Sequence, residues 1–418
     1  MSTAVSSPPP PSADPKQYEQ HTQLASGKKL IVYHTNWACY ARNFQVKDIP
    51  IQYISDINYA FFDLKPSAVP PHHLVPTITD PWADHDKRFT GPSEGVSPPD
   101  SWDEHADGPW GNFGQLLKLK KLGMRFNVGL SIGGWTMSQR FSDAVRGDPE
   151  RDGFVKGILA LLDRFPGVFN RIDIDWEYIS PIGSNHGAPE NLVRAEDGEN
   201  FIKFLILLRR ALDSTGRSQY EISACVTGDP QKMSALPAAQ MAQVLDTVNI
   251  MTYDFASSAW HPCATAHHTN LLSTPYSPLS VARAVEAYIA AGVPPGKIVI
   301  GAAMYSRGFA NTSGLGHPAS GVVEDKSWED GVCDYKSLPR CGAVEYWDEQ
   351  AQASYSYDAA RRILNSYDTP QSIRAKCRYI WEMGLKGIIV WESSGDVPVT
   401  SDRSLIRALW EGLSQDCR

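Results

Sequence analysis

The stretch Phe169 to Tyr178, FNRIDIDWEY, sets three carboxylates at every second position. Successive side chains of a β-strand point to opposite faces. Asp173, Asp175 and Glu177 would therefore share one side, and Ile172, Ile174 and Trp176 the other. Carboxyls this close cannot all stay ionised once buried, because repulsion and desolvation lift some of their pKa values and a proton is shared along the row. Such a row keeps Glu177 protonated and able to act as a general acid. A solvated strand face carrying ordinary surface acids is the plain alternative. The third acid and the flanking β-branched residues weigh against it.

An acid row needs elements to hold it. Strand-like runs occur at 30–37, 54–62, 125–134, 169–178, 220–227, 246–254, 298–306 and 387–393. Helical patterns such as NFIKFLILLRRALD (200–213) and SPLSVARAVEAYIAAG (277–292) lie between them, the second bordered by Ser277, Pro278 and a closing Gly. Eight strands, each followed by a helical pattern, point to an α/β fold, a (β/α)8 TIM barrel. An open doubly wound sheet would carry a Gly-rich phosphate loop after its first strand, and YHTNWACYARN has none. In a barrel, chemistry gathers where the strands end at the C-terminal face. With FNRIDIDWEY as the fourth strand, the acids climb the interior and Glu177 reaches the mouth.

Two interruptions stand out. Residues 65–112 read as a long loop after the second strand, and loops of this length usually shape a site or are disordered. Residues 310–369 read as a small α+β insertion after the seventh strand, with a helix-like pattern from Ala359. The expected organisation is a disordered Pro- and Ser-rich arm over 1–28, barrel strands 1–7 over 29–309, the insertion over 310–369, and the rest of the barrel over 370–418.

Composition narrows the partners. A formal charge of −8 and the lack of a long basic run argue against nucleic acid and suit a neutral ligand better than a polyanion. No apolar run approaches the ~18 residues of a membrane helix. The N-terminal stretch has no apolar h-region, so a cytoplasmic location or leaderless export is expected. The seven cysteines show no metal-ligand spacing; at most Cys333 and Cys341 lie close enough to suggest a local disulfide, and mostly reduced or buried thiols are expected.

IDIDWEY resembles the DGxDxDWE signature of glycoside hydrolase family 18, the chitinases. LSIGGWT (130–136) resembles the family's SxGG strand, and MTYDF (251–255) its MxYD element. INYAFF (57–62), HTNL (268–271), MYSRGF (304–309), VWESSGD (390–396) and NFGQLLKLKKLG (112–123) are similar to further family elements, in order, across about 29–412. Likeness is strongest to chitinases carrying an α+β insertion domain. Two positions depart: Asn170 stands for the family's first Asp, and Arg171 for its Gly. Arg171 shares parity with the acids and starts the strand, so it is expected to pair with a carboxylate at the barrel's bottom.

The resemblance implies hydrolysis of β-1,4-linked N-acetylglucosamine polymers with no metal or organic cofactor, by a monomer acting on chitin or chito-oligosaccharide, and relatives are often extracellular. It implies that Glu177 protonates the glycosidic oxygen while the sugar's acetamido oxygen attacks C1. Asp175 would hold the acetamido N–H, Asp173 would share its proton from below, and Tyr253 would orient the acetamido oxygen. Asp254, Arg307 and Tyr305 would contact the sugar, with a plain Asp254–Arg307 ion pair as the structural alternative. Trp391 would form the floor under the ring, and Met251, Phe61 and Tyr33 would add to the binding surface. Trp110, Trp135 and Trp260 are candidate platforms farther along. Ser131 and Tyr33 would support the acid row, and Gly133 and Gly134 would permit close backbone packing. A silent chitin-binding, lectin-like relative and an endoglycosidase acting on N-glycans are the rival functions.

Overall fold

The β-branched runs become the staves of a closed barrel. The computed structural model describes residue 24 and residues 26–414, apart from 92, 104–107, 180–186, 259–263, 322 and 325. The expected N-terminal arm thus lies almost wholly outside the described residues. The chain runs through β1 (Lys29–Thr35), β2 (Asp56–Pro66), β3 (Leu74–Ile78), α1 (Gly111–Lys121), β4 (Asn127–Gly133), α2 (Phe141–Val145) and α3 (Asp148–Arg164). It continues with β5 (Arg171–Asp175), α4 (Asp197–Ser214), β6 (Glu221–Thr227), α5 (Pro230–Met233), α6 (Ala238–Val244), β7 (Thr247–Met251) and α7 (Val281–Ala290). Then come β8 (Ile298–Ala303), β9 (Arg307–Phe309), β10 (Val344–Asp348), β11 (Ala353–Asp358) and β12 (Ile363–Tyr367). The last elements are α8 (Pro370–Glu382), β13 (Gly387–Trp391) and α9 (Leu405–Ser414).

Eight strands pair in parallel in the order β1-β13-β8-β7-β6-β5-β4-β2, and β2 returns to β1 to close the ring. This is the (β/α)8 barrel the alternation predicts. Strand parity divides the side chains of β5 between two cores. Ile172 and Ile174 join the layer between sheet and helices, with Phe154, Phe204 and Leu205. Asp173 and Asp175 point inward, where Ile31, Tyr33, Cys225, Val299 and Ile389 form a second cluster. A one-residue slip of β5 would exchange the two sets, so burial on both sides fixes the register that aims the acids.

At the bottom of the barrel Arg171 is fully buried. Its guanidinium lies 3.3 Å from Asp56 and 3.1 Å from Glu221, and Lys29 meets the same two carboxylates at 3.0 and 2.7 Å. Two cations and two anions cancel, which offsets part of the cost of taking charge out of water. Burial alone would raise the Asp56 carboxyl, but Arg171 and Lys29 hold it below its usual range. Asn170 caps the neighbouring ladder: its Oδ1 accepts from the Val128 amide at 2.7 Å and its amide donates to Asn127 at 2.7 Å.

Several local expectations are corrected. Between β1 and β2 the chain makes three 3-10 turns rather than an α-helix. The segment 65–112 is no simple loop, since β3 folds back antiparallel on β2. Gly153 and Gly157 of α3 let that hairpin approach; a Cβ there would stand 2.4 Å from His73 and 2.6 Å from Val75. The pattern from Ala359 is a turn leading into β12. The helix starts only at Pro370, where Thr369 and Ser372 form a capping box. The N-cap of α7 is Ser280 rather than Ser277. Cys333 is buried and Cys341 exposed, and both are thiols.

β10, β11, β12 and β9 form an antiparallel sheet, packed through Phe309, Leu364 and Ala319 against Ala256 and Ala266. It takes in Arg307, three residues before the insertion was expected to begin. No helix among the described residues is long and apolar enough to cross a membrane.

Candidate active site

Asp173, in the middle of β5, has its hydrogen-bonding capacity filled. Its Oδ2 accepts from Tyr33 at 2.9 Å and Ser131 at 2.8 Å, and its Oδ1 from Ser223 at 2.5 Å and Asn249 at 3.2 Å. The donors come from four other barrel strands: β4 and β6, which flank β5, and β1 and β7 farther round the ring. Asp175 lies one level higher, opposite Gly133 and Cys225. It is buried, and its Oδ1 has no partner among the described residues. Glu177 follows where the chain leaves the strand, half-buried and lining the cleft. Its amide donates to Ser138 Oγ at 2.9 Å, and its carbonyl accepts from Asn191 at 2.9 Å.

Electrostatics favour a proton on this row. Burial, and then the negative charge of Asp254, push the Glu177 carboxyl up to about 8, against a smaller pull from a Tyr178 hydrogen bond and Lys232. Burial lifts Asp175 well above the usual carboxylate range, and the charges of Glu177 and Asp173 lift it further. Both shifts favour the protonated form at the upper end of the row.

The walls are aromatic. Phe61 and Trp391 stack at 5.6 Å between centroids with planes 16° apart. Tyr253 projects into the cleft across Gly301, where a Cβ would stand 2.7 Å from its ring. Burial raises its phenol well above 10, so it remains an O–H donor. Met251, Trp135 and Tyr305 complete this part of the lining, and Trp135 meets Tyr178 edge-on at 6.4 Å. Asp254 accepts two bonds from Arg307, at 2.7 and 2.9 Å, and one from Tyr305 at 2.8 Å. Burial would raise Asp254, but Arg307 and His268 hold it far below the usual range. The ion pair and the place in the cleft coexist, because both side chains line it. The whole cleft is about 1030 Å³, at the upper end for small-molecule sites and roomy enough for several linked rings.

Not every expected residue joins the site. Tyr33 is buried beneath Trp391 and carries Asp173 rather than the cleft surface. Trp110 caps α1 with the Arg88 guanidinium 4.5 Å over its ring, and it does not line the cleft. Trp260 lies outside the described residues. Gly133 and Gly134 both have positive φ, at 110° and 88°, and a Cβ on Gly134 would stand 2.6 Å from Phe61. Among the described residues no cluster of His, Cys, Asp or Glu is arranged to hold a metal ion.

Other residues join without having been foreseen. Ser138, Lys232, Trp37 and the group Arg42–Asp334–Glu392 all bear on the cleft. Arg42 reaches Asp334 and Glu392 at 3.2 Å each and lies 4.4 Å over Trp328, tying the loop after β1 to the insertion and to the loop after β13. Parity along one strand cannot reveal contacts between loops this far apart. Trp37 and Arg42 could have been flagged by their place at the end of the first strand, where barrel chemistry gathers.

Residues 29–396 match the model of glycosyl hydrolases family 18. The chain is 35% identical to endochitinase 1 of Metarhizium robertsii over 89% of its length and 82% of that protein's. It is also 35% identical to chitinase 1 of Aphanocladium album, over 94% and 87%. Among solved structures it is similar to the catalytic domain of a psychrophilic chitinase B from Arthrobacter, with a TM-score of 0.82 at 28% identity over 93% of this chain and 96% of that one.

Proposed function

The chain belongs to glycosyl hydrolases family 18 and is a glycoside hydrolase of the chitinase type, and from that premise we propose how it cleaves chitin and with which residues. Glu177 gives its proton to the oxygen bridging two N-acetylglucosamine units as the C1–O bond breaks. The acetamido oxygen of the same sugar closes on C1, forming an oxazolinium ring, so the sugar supplies the nucleophile. Water then attacks C1 from the vacated side, Glu177 takes its proton, and the product keeps its configuration. Family 18 is one of the exceptions to two-carboxylate retaining chemistry.

The observation that supports this proposal is the row Asp173–Asp175–Glu177 rising from the barrel interior to the cleft, with burial and neighbouring negative charge raising the Asp175 and Glu177 carboxyls. The unpartnered Oδ1 of Asp175 is a buried acceptor awaiting a donor, and the acetamido N–H is such a donor. As positive charge grows on the ring, an acceptor already in place stabilises it without reorganising. Tyr253 donates to the acetamido carbonyl and steers it to C1. Trp391 offers its face to the C–H side of the pyranose.

The test uses defined chito-oligomers whose unit at the cleavage point either carries or lacks the N-acetyl group. Cleavage should need the acetyl group and give the β-anomer first, followed by NMR. Equal rates on both substrates, or initial release of the α-anomer, would refute the mechanism.

A further inference from the structure

Asp254 holds a backbone φ of 58°, the left-handed region that a residue with a Cβ occupies only when its surroundings keep it there. Those surroundings centre on His268, a buried residue that does not line the cleft. The Nδ1 of His268 lies 3.4 Å from the Asp254 amide nitrogen and can accept its N–H. The next amide, that of Phe255, donates to the His268 carbonyl at 3.1 Å. One residue thus grips two consecutive amides of the turn. His268 is anchored in its turn, since its own amide donates to Ser366 at 3.1 Å and its ring packs 5.3 Å from Tyr305.

The proton on the imidazole faces a choice. On Nε2 it leaves Nδ1 free to accept the Asp254 amide, but Nε2 is buried and has no partner among the described residues. On Nδ1 it faces Asp254 Oδ1 at 3.7 Å instead, and the amide loses its acceptor. Either state ties the ring to Asp254, through the backbone or through the carboxylate.

We propose that His268 is a positioning residue for the cleavage reaction, holding Asp254 in its left-handed turn so that the Asp254–Arg307 pair stays beside Glu177. This inference rests on the function proposed above. Among the described residues the charged and titratable groups facing Asp254 are Arg307, Tyr305, His268, Glu177 and Tyr178. Those facing Glu177 are Asp254, Asp175, Tyr178 and Lys232, with the Tyr253 phenol and the Cys225 thiol nearby. Asp368 acts on His268 from the insertion side.

His268→Phe keeps an aromatic ring against Tyr305 but removes the acceptor, whereas His268→Gln has an amide oxygen that can accept the Asp254 N–H. The Phe variant should lose on the order of tenfold to a hundredfold in kcat/KM, the effect of a small misplacement, mostly in kcat. Its basic pH limb should move to lower pH as Asp254 withdraws from Glu177. The Gln variant should restore most of the rate and the wild-type limb. A Phe variant with wild-type rate and limb, or a Gln variant as impaired as Phe, overturns the proposal. His268→Leu serves the same purpose if the Phe variant does not fold. A crystal structure of the folded acceptor-less variant supplies an arm that needs no turnover. Asp254 leaving the left-handed region supports the proposal. An unchanged φ with the Arg307 pair intact overturns it, whether or not the wild type cleaves chito-oligomers.

Discussion

Gly133 stands so close to Asp175 that a Cβ on the glycine would sit 2.1 Å from the Asp175 carbonyl oxygen and 2.7 Å from the Phe141 ring. The backbone there is also left-handed, with φ at 110°. Gly133→Ala should therefore push β4 away from β5 and displace the middle of the acid row. Overpacking of this kind costs about 1–3 kcal/mol. Denaturant unfolding should show a loss in that range together with reduced turnover. An alanine variant with unchanged midpoint and rate would contradict the contact.

Glu177→Gln should fold and bind chito-oligomers while losing on the order of 10² to 10⁴ in rate, the weight of a general acid. Steady-state kinetics and calorimetric binding on the same preparation separate the two effects. Near-normal turnover would remove Glu177 from the proposed role.

The raised Glu177 carboxyl fixes the direction of the pH response. A group that titrates near 8 keeps its proton below that pH and loses it above, so kcat/KM should decline as pH rises through about 8. The negative charge of Asp254 is part of what keeps the proton on. Asp254→Asn removes that charge, leaves Arg307 positive, and should shift the basic limb to lower pH. A limb that stays in place, or moves upward, would show that Asp254 does not act on Glu177.

Arg171 binds the bottom of the barrel, and Arg171→Gly would leave Asp56 and Glu221 with Lys29 as their remaining cation in this network. Breaking a buried ion pair by removing one partner costs about 3–5 kcal/mol. A thermal melt should register the loss while kcat changes little, because the network lies at the opposite end of β5 from Glu177. Unaltered stability would mean that the pairing contributes nothing.

The acid row and the eight strands were legible because both rest on short-range patterns. Ile172, Ile174 and Trp176 needed a core on one side of the strand, and the alternation then put Asp173 and Asp175 on the other. The Pro370 helix was misplaced because the turn after Asp358 shows no strong breaker, and β12 has polar residues at Asn365 and Ser366. β3 was missed since Leu74–Ile78 is short and interrupted by Pro76. Trp110 looked like a platform by type, yet Arg88, 22 residues upstream, occupies its face. Ser138, in the loop after β4, and Lys232, on α5, approach Glu177 from separate elements, and no local pattern encodes such a meeting.

The antiparallel sheet leaves the barrel after β8 and returns at α8 through two neighbouring passages of chain. They are clasped where the Ala303 amide donates to Asp368 at 3.2 Å and Lys376 donates to the same carboxylate at 2.7 Å. Since β8 pairs directly with β13, the ring of staves does not depend on what is spliced between those passages. The outer strands β10 and β11 can therefore be lengthened or trimmed in descendants of this chain, while β9 and β12, whose Arg307 and Ser366 hold Asp254 and His268, have to stay.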